Sequence, residues 1–260
     1  MNVWHYMLIG FLQGVFEWLP VSSKTILMLF MSFIGDVSLL ESYSLALALQ
    51  GGTVVAATVF FRDILTQVFR REPLLEFLAI STFITGLLGL PIYLVVRIFL
   101  SSLELPVTTL LIGLLLLLQY FMRRVEGGTK TVENVNLVDS VLFGVAQSLA
   151  VLPGVSRSGI TIIALIFMDY KLEDALKLSF LASIPANIGG SLLVFSTSKI
   201  AVSEPVSDLL VTLLVSVVAG LLTIKYLLKI SLRHSQKLIL LMSLITLVAG
   251  SLEIASRARC

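Results

Sequence analysis

Charge is what this sequence has least of. Asp, Glu, Lys and Arg make up 13% of its 260 residues, about half the share of a soluble domain. Hydrophobic residues make up 57% and the mean hydropathy is +1.03. That balance describes an integral membrane protein. Cysteine is nearly absent: Cys260 stands alone, which excludes a disulfide framework and a thiolate metal site. Histidine occurs only at His5 and His234, too few for a histidine-rich metal cluster. A net charge of +2 without a basic run gives no nucleic-acid footprint. The first residues also lack the basic n-region of a cleaved signal peptide, and Glu17 stands where the apolar core of one would continue.

What the chain has in abundance is long uncharged runs. A bilayer core of roughly 30 Å needs about 20 apolar residues in a helix. Six stretches qualify as full spans: 42–61, 77–96, 105–122, 178–198, 209–224 and 238–252. Two further segments, 3–35 and 139–168, are apolar, then broken by proline and a polar cluster, then apolar again. The uncharged run 25–35 ends at Asp36, and an equal run, 158–168, ends at Asp169. A helix of about 11 residues rises about 16 Å, half a bilayer. Each segment therefore reads as a re-entrant helix-loop-helix hairpin.

The two hairpins also resemble each other. GFLQGVFEWLPVSSK (10–24) aligns with GVAQSLAVLPGVSRS (144–158), matching Gly10 with Gly144, Gln13 with Gln147, and Val21-Ser22 with Val155-Ser156. With a one-residue slip, Pro20 matches Pro153, Lys24 matches Arg157 and Asp36 matches Asp169. The expected fold is all-α and polytopic: one membrane domain over 1–260, an inverted-topology duplication with six full transmembrane helices and two hairpins. Repeat one is 1–122 and repeat two is 138–255. Inverted repeats with broken helices meeting near the midplane enclose a polar site between them. Three crossings per repeat gather lysine and arginine on one face, leaving Arg97, Lys199, Arg257 and Arg259 on the other. The rich face is expected to be cytoplasmic, with both termini outside a plasma membrane. A surface helix over 3–18 stays open and does not alter the span count.

Charges at membrane depth are expensive and usually functional. Three fall inside the hairpins, Glu17, Lys24 and Arg157, among Gln13, Ser22, Ser23, Thr25, Ser156, Ser158 and Thr161. Gln13 and Glu17 are four apart and share a helix face. One carboxylate, two cations and several hydroxyls suit a multiply charged anion such as phosphate, whereas a cation path would favour paired carboxylates. In PGVSRSG, Pro153 and Gly154 end one half-helix, and Ser156 can cap the next. The amides and dipole of that helix start favour an anion, which also reconciles Arg157 with its first turn.

QGVFEWLPVSS (13–23) together with PGVSRSGIT (153–161) closely resembles the undecaprenyl-diphosphate phosphatase family of the bacitracin-resistance type. Gln13, Glu17, Pro20, Val21, Ser22 and Ser23 match its first motif, and the second is matched at every specified position. The resemblance implies hydrolysis of a polyprenyl diphosphate to the monophosphate and phosphate, recycling a lipid carrier for cell-envelope polymers. Partners would be the isoprenoid diphosphate and membrane lipid, without nucleic acid, and a homodimer is left open. It assigns catalysis to Glu17, Ser23 and Arg157, with Ser156, Ser158 and Thr161 aiding Arg157 in substrate binding; Gln13, Ser22 and Lys24 are read from their place in the first hairpin as further substrate contacts. A divalent cation, Mg²⁺ or Ca²⁺, would sit at Glu17, with Gln13 as a further ligand. Ser23 could attack phosphorus, or Glu17 could position a water. Where the family often has Thr-Gly-His, this chain reads Lys24-Thr25-Ile26, so a histidine is missing. A transporter or flippase for a lipid phosphate is the competing reading, since inverted repeats and broken helices belong to that class too.

Overall fold

The computed structural model describes residues 2–19, 21–34, 37–68, 70–102, 104–122, 128–197 and 205–257. Asp36 and Pro20 therefore lie outside the described residues. Ten α-helices organise the described chain: α1 (Val3–Phe16), α2 (Ser23–Ile34), α3 (Leu39–Phe60), α4 (Arg62–Val68), α5 (Glu72–Ser102), α6 (Leu105–Met122), α7 (Leu137–Ser148), α8 (Arg157–Phe167), α9 (Leu172–Thr197) and α10 (Val206–Arg257). β structure among the described residues is confined to an isolated Lys130–Tyr170 bridge.

Several helices begin where short polar side chains can take over an orphan amide. Asn2 and His5 cap each other's backbone at α1, Ser38 and Glu41 do so at α3, and Asn136 accepts from Asp139 N at α7. Ser156 caps α8 by accepting from Gly159 N at 3.3 Å. Gly154, at φ 92°, turns the chain into that cap, a conformation glycine takes without the Cβ penalty.

Five helices are long and apolar enough to cross a membrane: Leu39–Phe60, Glu72–Ser102, Leu105–Met122, Leu172–Thr197 and Val206–Ile230. The chain is thus a polytopic all-helical membrane protein. Its lipid-facing stripes are plain on α10, where Leu214, Val218 and Leu222 recur every fourth residue and all stand exposed. The stretch Gln236–Leu252 is a shorter apolar segment of the same helix. The break expected between spans 209–224 and 238–252 has no counterpart in the backbone, because α10 runs unbroken for 52 residues. The physical reason is local. Residues 225–237 are charged, but no glycine or proline occurs between Gly220 and Gly250, so nothing there stops a helix.

Four of the five short helices form two pairs, α1 with α2 and α7 with α8. At 12 and 11 residues, α2 and α8 rise about 18 and 16 Å. The first arm of each pair lies on a long helix from the opposite half of the chain, α1 on α10 and α7 on α5. Gly10 makes the first crossing possible: a Cβ there would stand 2.4 Å from Thr212 O. Gly144, its aligned counterpart, makes the second: a Cβ there would stand 2.8 Å from Ser81 O and 2.7 Å from Ile84 Cβ. Small residues at such crossings let helix backbones approach where lipid offers no hydrophobic drive. The exposed face of α1 (Trp4, Met7, Leu8, Phe11) is itself apolar, so this helix is not amphipathic in the manner of a surface helix. Trp18 does not reach an interface either. It is 1% exposed and packs on Phe180 with centroids 5.7 Å apart.

The glycine crossings give a direct test. Gly144→Val should destabilise the fold by about 1–3 kcal/mol through overpacking, read as a fall in detergent-phase melting temperature. Gly86→Ala, where a Cβ meets nothing within 4 Å, should be neutral or slightly stabilising.

Candidate functional site

Glu17 sits at the C-terminal end of α1, and its side chain is 5% exposed. Its carboxylate collects four donors from four helices. Arg157 Nη2 from the start of α8 donates to Oε1 at 2.7 Å, and Asn187 Nδ2 from α9 donates to the same oxygen at 3.1 Å. Ser23 Oγ at the start of α2 donates to Oε2 at 2.7 Å, and Gln13 Nε2 on α1 donates to it at 3.1 Å. Each charge of the ion pair occupies the unfavourable end of its own helix, acid at a C-terminus and base at an N-terminus. Their pairing offsets both conflicts.

Arg157 is held from several sides. Nη1 donates to Ser179 O at 3.3 Å, and the guanidinium lies 5.5 Å from the Phe180 ring centroid. Its Nε is buried and has no hydrogen-bond partner among the described residues. Thr161 accepts no role at the carboxylate: its hydroxyl donates to Arg157 O at 2.8 Å and lies 2.7 Å from Ser179 Oγ. Ser156 and Ser158 hydroxyls are 3.3 Å apart, and Ser158 Oγ reaches Leu19 O at 3.4 Å. Gln119 Oε1 accepts from Ser156 N at 3.3 Å, so α6 braces the turn into α8.

Lys24 is placed differently from the expectation. It lines the same cavity, yet its ammonium donates to the carbonyls of Ala150 and of Val155, the latter at 3.1 Å. It thereby ties the start of α2 to the loop between α7 and α8. Thr25 completes the tie, accepting from Gly154 N at 2.8 Å while donating to Ser22 Oγ at 2.8 Å. Gln13 and Gln147, aligned between the two hairpins, bond to different partners. Gln147 Nε2 donates to Thr85 Oγ1 at 3.0 Å, which belongs to α5. His5 is occupied at the opposite end of α1, accepting from Asn2 N at 3.2 Å, and the His234 side chain lies outside the described residues.

Glu17, Ser22, Ser23, Lys24, Ser156, Arg157 and Ser158 line one small polar cavity with Leu19, Val21 and Gln50. The starts of α2 and α8 both face it, so two helix N-termini and two cations surround a single carboxylate. That field favours an anion with more than one charge. Sequence reasoning missed Asn187. It is a lone amide in an uncharged span, two residues beyond Pro185, and only that polar interruption could have marked it. For a metal, no group of three His, Cys, Asp or Glu side chains exists among the described residues. The hard oxygen donors that do gather are Glu17 and Ser23 Oγ, while Gln13 turns Nε2 to Glu17 and keeps a buried Oε1 without a partner among the described residues.

The model of the family described as bacitracin resistance protein BacA matches residues 6–250 of this chain. Over 260 residues the chain is 37% identical to the undecaprenyl-diphosphatase of Saccharolobus solfataricus, covering 94% of this chain and 92% of that protein. It is 33% identical over 242 residues to the undecaprenyl-diphosphatase of Sulfurisphaera tokodaii, with 90% and 92% covered. The corresponding protein of Haloarcula marismortui is 39% identical over 240 residues, with 86% and 88% covered.

The buried ion pair predicts an asymmetry in stability. Arg157→Met strands the Glu17 carboxylate and should cost about 3 kcal/mol, whereas Glu17→Gln combined with Arg157→Met should recover most of that loss. Melting temperatures of the two variants in the same detergent check it.

Proposed function

This chain belongs to the bacitracin resistance protein BacA family, and we propose that it hydrolyses a polyprenyl diphosphate of the undecaprenyl type to the monophosphate and phosphate. The family membership and the relatives' activity support the reaction. The arrangement Ser23–Glu17–Arg157, with both contacts at 2.7 Å, supports the assignment of roles. The product returns a lipid carrier to cell-envelope polymer synthesis.

In the roles we assign, Ser23 Oγ attacks the terminal phosphorus and its proton passes to Glu17 Oε2, to which it is already hydrogen-bonded. Displacement in line releases the polyprenyl monophosphate. Glu17 passes that proton to the departing monophosphate; water then attacks the phosphoserine, giving a proton to Glu17, which hands it to the serine oxygen as phosphate leaves. Arg157, drawn from Glu17 toward the diphosphate, neutralises charge on the transferring group, and the amides at the starts of α2 and α8 add to it. Glu17 keeps its hydrogen bonds from Ser23, Gln13 and Asn187 when Arg157 turns away, so the base stays oriented. Ser156, Ser158 and Thr161 fix the α8 turn. Lys24 keeps the opposing loop in place while its charge remains at the cavity.

Glu17, with Gln13 once its amide turns, would hold a hard divalent cation, Mg²⁺ or Ca²⁺. When bound it would supply charge neutralisation on the phosphoryl oxygens. The architecture we propose around this site is an inverted duplication, with α1-α2 and α7-α8 as re-entrant hairpins. Its support is the recurring order of two short helices and a long one, together with the paired glycine crossings at Gly10 and Gly144. Within the unbroken α10, two apolar stretches, Val206–Ile230 and Gln236–Leu252, pack against different partners. The first lies against α1 and α3, and the second against α6. Lysine and arginine asymmetry supports a reading with the termini outside the plasma membrane.

Purified protein should release phosphate from undecaprenyl diphosphate with Mg²⁺ or Ca²⁺ present. Ser23→Ala should lower kcat by roughly 10²–10⁴-fold, and Arg157→Ala by about 10²–10³-fold. Full turnover in Ser23→Ala would transfer the attack to water, and absence of release with substrate crossing vesicles would replace hydrolysis by transport.

A further inference from the structure

The diphosphate's site is polar and small, which leaves the tail to be placed. Among the described residues, three apolar cavities in the helical shell differ in what they touch. One of about 210 Å³ lies between α2, α6 and α10. It shares Val21 and Ser22 with the polar cavity, immediately before Ser23. The other two, of about 300 Å³ between α3, α5 and α9 and about 240 Å³ between α5 and α6, share no residue with it. Thr82, which lines the first of these, has a buried Oγ1 without a hydrogen-bond partner among the described residues.

From this continuity we infer that the proximal end of the substrate's prenyl tail occupies the groove between α2, α6 and α10, entering the bilayer past Ile245. The inference rests on the diphosphatase reading above. Three threonines line the groove, yet none presents a free hydroxyl. Thr25 Oγ1 donates to Ser22 Oγ, Thr109 Oγ1 to Leu105 O at 2.8 Å, and Thr246 Oγ1 to Met242 O at 2.9 Å. Their methyl groups are left to face the cavity with Leu29, Met242 and Ile245. The back wall is fixed by close packing of α6 on α10, where a Cβ on Gly250 would stand 2.9 Å from Leu110 Cγ. Ile245 lines the groove and is 51% exposed, so its mouth opens sideways into lipid. Pockets for whole small molecules run upward of roughly 300 Å³. This groove therefore holds the first isoprene units and leaves the rest of a long tail in the membrane.

A farnesyl diphosphate analogue with a photoreactive diazirine on its first isoprene unit tests the placement without requiring turnover. Adducts competed by undecaprenyl diphosphate should map to Leu29, Met242 and Ile245. Adducts confined to α5 and α9, or to the α5–α6 cavity, would overturn the inference. As a second measurement, Ala249→Trp should lower kcat/KM for farnesyl diphosphate by about tenfold or more while changing hydrolysis of tail-less methyl diphosphate by less than about twofold. No loss on farnesyl diphosphate, or equal loss on both, rejects the groove. Wild-type protein that cross-links as expected but releases no phosphate would leave the groove standing and remove the hydrolase reading.

Discussion

One buried carboxylate sets the terms for the rest of this structure. Glu17 cannot stay charged in a low-dielectric interior unless its lone pairs are satisfied, and four donors converge to do so. Those donors come from α1, α2, α8 and α9. The position of each helix is therefore constrained by a single side chain, and the glycine crossings of α1 and α7 bring their backbones close enough for the convergence. Packing and chemistry are not separable here, because the same groups that stabilise the charge are the groups that would handle phosphate.

The electrostatic balance around Glu17 is deliberately uneven in its physical effect. One negative charge faces Arg157, Lys24 and the amide ends of two helices, so the cavity has positive potential left over after the ion pair is made. Lys24 contributes at a distance through its charge, while its hydrogen bonds go to Ala150 and Val155. A chain of the same shape with a second carboxylate here would favour a cation instead. Polar site and apolar groove then meet at Val21 and Ser22, matching a ligand with a charged head and a hydrocarbon tail.

Much of this was legible in the sequence because membrane burial makes polar residues conspicuous. Glu17, Ser23 and Arg157 stood out as interruptions in uncharged runs, and they meet within hydrogen-bonding distance in space. The half-length second arms, read from the charges that end them, correspond to α2 and α8 within a residue or two. Charge misled at 225–237. A polar stretch reads as a loop, but helices continue through charged residues unless glycine or proline intervenes, and α10 does. Asn187 was illegible for the opposite reason. An uncharged amide within a span carries no pattern, and its importance comes only from its separation of 3.1 Å from a residue 170 positions away. Lys24 was legible as a buried cation but not in its bonding, since carbonyl acceptors in another segment leave no trace in composition.

The ion pair joins residues 140 positions apart, and that separation has a consequence during synthesis. Translation delivers the first hairpin, with Glu17 in it, long before Arg157 exists. Until then the first half lacks the cation that offsets its buried carboxylate, and a lone charge at membrane depth is costly. The second hairpin supplies that cation. The final seating of the amino-terminal half is thus coupled energetically to the presence of the carboxyl-terminal half.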